Sequence, residues 1–144
     1  MRRTKIRFAL WSVVAAAILT MAAVAFAGNP HFVGSPLITK SGGNIEASGK
    51  AAGIGKGDVV YVQLEAQVQY QCINPGGHEV EPHSGTASGI SDPDIADRNG
   101  QYHYDVSASL AGGCPNPNWT INVTSASGTL SLFVNGQPAD STSF

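Results

Sequence analysis

The sequence predicts an all-β fold: an antiparallel Ig-like β-sandwich of seven or eight strands with one disulfide. Three observations lead there. Apolar and polar residues alternate over long runs, and Gly, Pro and Asn interrupt those runs at short intervals. After position 27, no stretch of ten residues offers helical apolar spacing with caps. A closed barrel or jelly roll is the architectural alternative.

The elements follow in chain order. Met1-Arg-Arg-Thr-Lys-Ile-Arg7 is a basic start, Phe8 to Phe26 is apolar and alanine-rich, and Ala25-Phe26-Ala27 is a small-x-small cleavage site. Residues 1–27 are therefore expected to be a cleaved signal peptide, with the mature chain starting at Gly28. An uncleaved membrane anchor is the alternative. Residues 28–43 form an N-terminal segment with a first strand at Pro36–Lys40, and 44–144 form the sandwich domain. That domain opens with a strand at Asn44–Ala51. Val60, Val62, Leu64, Ala66, Val68, Tyr70 and Cys72 then alternate with Tyr61, Gln63, Glu65, Gln67, Gln69 and Gln71. This predicts a long strand with one dry and one wet face. Further strands are expected at Thr86–Ser91 and Tyr102–Leu110, and as two separate pieces at Trp119–Val123 and Leu130–Val134. A weak last one is expected at Ala139–Phe144. Gly42-Gly43, Gly53 to Gly57, Asn99-Gly100 and Asn135-Gly136 supply residues that tolerate positive φ at the reversals, Asn135-Gly136 as a hairpin turn.

Charge narrows the partners. Without the leader, Lys40, Lys50, Lys56 and Arg98 stand against all ten acids, a net charge of −6. Nucleic-acid binding through a basic surface is excluded, since it needs clustered Lys and Arg. No membrane association is expected once the signal is cleaved. In an oxidising compartment the only two cysteines predict one bridge, Cys72–Cys114, with a structural role. It would gather two similar turns, Cys72-Ile-Asn-Pro-Gly-Gly-His78 and Gly112-Gly-Cys-Pro-Asn-Pro-Asn-Trp119, at one end of the fold.

The Cys-x-Asn-Pro-Gly-Gly segment, followed about 40 residues later by Gly-Cys-Pro-Asn-Pro-Asn-Trp-Thr, resembles an uncharacterised family of small secreted bacterial proteins. The resemblance covers most of the chain from Asn44 to Val134. It implies secretion and a bacterial source, and it carries no known chemistry. His78-Glu-Val-Glu-Pro-His83 departs from the Asn- and Gln-rich turn of that group. The comparison with immunoglobulin domains concerns architecture only, because Trp119 follows both cysteines instead of lying between them.

Candidate chemistry concentrates in two loops. His78, Glu79, Glu81 and His83 are the densest ligand-type residues, but their spacing and Pro82 exclude the helical His-Glu-x-x-His arrangement. A loop site for Zn²⁺ or Cu²⁺ would draw on His78, His83 and His103. Asp92, Asp94 and Asp97 have the oxygen chemistry that Ca²⁺ favours without the EF-hand spacing. The plain alternative in both places is a solvated polar loop. No nucleophile motif or cofactor signature stands out, so no catalytic residue and no cofactor are expected. Tyr70, Tyr102, Tyr104 and Trp119 fall on inward positions, whereas Tyr61 and Phe133 point outward, which bears on carbohydrate stacking.

The expected function is a secreted, non-enzymatic extracellular or cell-surface interaction module with an unidentified protein or surface component as partner. Its candidate binding rim is Asn74, His78, Glu81, His83, Asn116, Asn118 and Trp119. Homo-oligomers through strand edges are a second kind of contact, should the Gln-rich long strand lie at an edge. The alternative function is small-ligand or metal binding (Ca²⁺, Zn²⁺ or Cu²⁺), with a hydrolase on the same rim as a third reading.

Overall fold

A computed structural model describes residues 28–144. The expected signal peptide, 1–27, lies outside the described residues. The period-two runs become β1 (His31–Ser41), β2 (Asn44–Ala52), β3 (Val59–Ile73), β4 (His83–Ile90), β5 (Asp94–Ile95), β6 (Tyr102–Ala111), β7 (Thr120–Val134) and β8 (Gln137–Ser143). All pairs are antiparallel and form one sheet in the order β1-β2-β6-β4-β3-β7-β8, with β5 beside the start of β3. The two groups of strands that a sandwich would separate are joined here by a three-residue β4–β6 ladder, Thr86–Ser88 against Ser109–Ala111. The sheet curls into a half-barrel. Its outermost strands meet where the Phe32 backbone N–H donates to the Asp140 carboxylate at 2.8 Å.

The core follows the alternation. Val60, Val62, Leu64 and Val68 of β3 are fully buried, with Ile45 and Ala47 of β2, Ala108 of β6, and Leu130, Leu132 and Val134 of β7. Each of the larger side chains removes apolar surface from water at roughly 1.5–3 kcal/mol. Tyr102 and Tyr104 point inward as parity requires. The ring of Tyr104 meets Phe32 edge-on with centroids 5.5 Å apart. Burial pushes its phenol above the usual tyrosine range. Tyr102 reaches a buried polar point: its hydroxyl lies 3.0 Å from Ser91 Oγ, which accepts the Val62 N–H at 2.9 Å.

The largest difference from expectation concerns β7. Trp119–Val123 and Leu130–Val134 were expected as two strands; they belong to one. Gln69 pairs with Ser125 and Tyr70 with Val123, so Thr124 is an extra residue bulging from the ladder. A bulge places two successive residues on one face and reverses the parity beyond it. Ile121 and Val123 face inward on odd numbers, and Leu130, Leu132 and Val134 on even ones. At the crossing of the two phases, Thr124 Oγ1 donates to the Gln69 carbonyl at 3.1 Å.

β1 is also longer than Pro36–Lys40. Its register shifts between Val33 and Leu37, around Gly34 (φ +73°) and Pro36, two residues that weaken a strand reading. From His31 to Ser41 it pairs with β2, so the N-terminal segment shares the domain's sheet. The Gln-rich β3 is central, flanked by β4 and β5 on one side and β7 on the other. Its main-chain groups are thereby used, so it offers no edge for oligomer contacts. The Asn135-Gly136 hairpin forms as expected, with φ of +51° and +76°.

Candidate functional site

The bridge forms between Cys72, buried near the end of β3, and Cys114, half-buried just past β6, with Cα atoms 5.7 Å apart. On the chain-entropy model, closing this loop stabilises the fold by roughly 4 kcal/mol. It also gathers the two Asn-Pro turns at one end of the sheet.

Each turn is held by its own asparagine. Asn74 Oδ1 accepts the His78 N–H at 3.1 Å, and the Asn74 carbonyl accepts the Gly77 N–H at 2.9 Å. Gly77 sits at φ +78°, where a side chain would be strained. The return of the chain is fixed by the Val80 N–H donating to the Cys72 carbonyl at 3.0 Å. In the second turn, Asn116 Oδ1 accepts the Asn118 N–H at 2.9 Å, and its carbonyl accepts the Trp119 N–H at 3.1 Å. Tyr70 ties the end together. Its ring stacks on His83 with centroids 5.4 Å apart, and its hydroxyl donates to the Gly113 carbonyl at 3.4 Å. The resulting rim exposes His78, Glu81, Asn116 and Asn118, with Asn74, His83 and Trp119 half-buried behind them.

The remaining candidates lie elsewhere. Register places His83 opposite Tyr70 at the disulfide end, whereas His103 opposes Lys50 near the start of β6, at the other end of the sheet. Asp94 opposes Val60 at the start of β3, so Asp92, Asp94 and Asp97 also belong to that far end. Among the described residues, no three His, Cys, Asp or Glu side chains are grouped to hold a metal ion. The carboxylates of Asp94 and Asp97 accept from backbone instead. Asp97 Oδ1 accepts N–H groups from Gln101 and Asn99, both at 2.8 Å. The Gln101 hydrogen bond above all holds this carboxyl below the usual aspartate range. The Asn99 bond and the charges of His103 and Lys50 add to the effect. Asp94 Oδ1 accepts the Ile95 N–H at 2.7 Å.

One arrangement joins two residues that sequence parity could only turn outward. Tyr61 of β3 and Phe133 of β7 are direct cross-strand partners, stacked at 4.9 Å with an interplanar angle of 4°. Parity gives the face, but only the β3–β7 register gives the neighbour.

No protein-family model, curated protein or solved structure matches the chain.

Proposed function

We propose that this chain is a secreted, non-enzymatic module whose disulfide-stapled loop end docks on an extracellular protein or other surface component. A bacterial source and the family of small secreted proteins that it resembles belong to the same reading. The observation that carries it is the preorganised rim. Two turns of different strands are fixed by Asn74, Asn116 and the Cys72–Cys114 bridge before any partner arrives. Rigid loops lose little entropy on binding, so their exposed polar groups convert more contact into affinity. A disulfide is compatible with an extracellular location. In architecture we read the two halves of the curled sheet as the layers of an Ig-like sandwich packed across a shared core, with loops at both ends for recognition.

Retention of the purified, oxidised protein on the cells that secrete it tests this reading. Saturable retention is expected, and the His78→Ala/Asn118→Ala double variant is expected to lose at least tenfold. A far-end variant, Arg98→Ala, is expected to behave as wild type. Retention that does not saturate, or that ignores the rim substitutions, would refute the reading.

A further inference from the structure

The outer face of the sheet opposite the core has a composition that the loop-end reading does not use. From Glu65 to Gln69, every outward residue of β3 lies between a Ser or Thr of β4 and a Ser or Thr of β7. Gln67 lies between Thr86 and Ser127, and Gln69 between Ser84 and Ser125. These side chains are exposed. Outward positions on β4, β3 and β7 contain a single carboxylate and no Lys, Arg or His; the carboxylate, Glu65, accepts a hydrogen bond from Gln63 Nε2 at 2.8 Å. In a domain of −6 charge, this face is an almost uncharged array of amides and hydroxyls. Such groups donate and accept alike, as a hydroxyl-rich ligand requires.

Two depressions interrupt the face. One, of about 410 Å³, lies across β4, β3 and β7 and is bordered by Glu65, Gln67, Thr86, Ser88 and Thr129. The other, of about 430 Å³, lies between β7 and β8 against Phe133 and Pro138, with Ser131, Ser141 and Asp140, whose carboxylate accepts the Phe32 N–H, at its sides. Thr129 and Ser131 are next-but-one neighbours on β7, so the two hollows adjoin. Tyr61 stacks on Phe133 from the β3 side, and the second hollow adjoins the ring from the β8 side. An aromatic wall beside hydroxyls and amides fits a sugar, which has apolar C–H faces and a polar rim.

We propose that this outer face binds a neutral polysaccharide, with a sugar ring packed against Phe133 and the chain continuing over Glu65, Gln67 and Thr86. The absence of clustered charge on the face selects an uncharged ligand over an anionic glycan or a basic peptide. The inference rests on the chain being an extracellular binding module, and it names one class of surface component while using a different surface from the loop end.

Native electrophoresis of the full oxidised protein through gels containing a soluble β-glucan, a mannan, a dextran or, as anionic control, polygalacturonate tests it. Retardation is expected in at least one neutral gel and absent with polygalacturonate. Phe133→Ala and Gln67→Glu are each expected to weaken binding at least tenfold, while His78→Ala/Asn118→Ala leaves it unchanged. Should Phe133→Ala fail to fold, the exposed Gln67→Glu decides. No retardation in any neutral gel, retardation by polygalacturonate alone, or equal retardation of the folded variants would overturn the proposal. Release of reducing ends would overturn the non-enzymatic reading and leave the glycan face standing. Rim-dependent cell retention without glycan binding would do the reverse.

Discussion

At the scale of single residues, short polar side chains at the reversals bind the backbone more than they bind one another. Asn135 holds φ +51° while its Oδ1 accepts the Val59 N–H at 3.0 Å and its Nδ2 donates to Asp58 at 2.8 Å. Asn135→Ala loses both bonds and keeps the left-handed backbone, so a loss of about 1–2 kcal/mol is expected in chemical denaturation. Asn135→Gly relieves the backbone term and is expected to lose less. Asp97 makes a comparable closure whose strength depends on pH. Its folded carboxyl titrates below the ordinary value of 3.8, so its contribution is whole above that pH. The contribution is lost as pH falls through the folded value. Thermal unfolding is therefore expected to show Asp97→Asn less stable than wild type at neutral pH, with the gap closing as the pH is taken below the ordinary aspartate value. The aspartates were legible in the sequence as oxygen donors. That Asp94 and Asp97 face backbone N–H groups depends on loop conformation, which composition does not encode.

At the scale of elements, alternation predicted the strands where parity ran unbroken. Val60 to Cys72 and Tyr102 to Leu110 correspond closely to β3 and β6. It divided β7 in two because a parity reversal in one sequence looks like a break, and only the partner strand reveals one extra residue. β5, two residues long, has no periodicity to detect. The bulge supports a direct prediction. Deleting Thr124 leaves Val123, Ser125 and Ala126 in regular alternation, with both halves of β7 still facing the core. Deleting Ser131 instead makes Leu130 and Leu132 adjacent, so one of the two must leave the core face. Thermal melts are expected to show the first deletion folded with a modest loss, and the second destabilised by more than about 3 kcal/mol or unfolded.

At the scale of the whole molecule, which strands neighbour which was not legible, because the β2–β6 and β3–β7 pairings join segments far apart in sequence. Parity foresaw the dry and wet faces, and compartment chemistry foresaw the bridge. It did not foresee that the rim and the aspartates lie at opposite ends, since that needs the antiparallel order of β3, β4 and β6. The Cys72→Ala/Cys114→Ala variant is expected to lose about 4 kcal/mol in denaturant titrations. Against a total of about 5–15 kcal/mol for a domain, that is a large share. The short β4–β6 ladder has a further consequence for how the native state opens. Three residue pairs join β1-β2-β6 to the strands beyond β4, and the disulfide crosses the same boundary from β3 to the end of β6. The two sides are expected to become separate cooperative units in amide hydrogen exchange once the bridge is reduced. With the bridge intact, their slowest amides should exchange together through global unfolding. After reduction, β2 and β6 should exchange ahead of β3 and β7, making a thiol reductant the agent that uncouples one half of the sheet from the other.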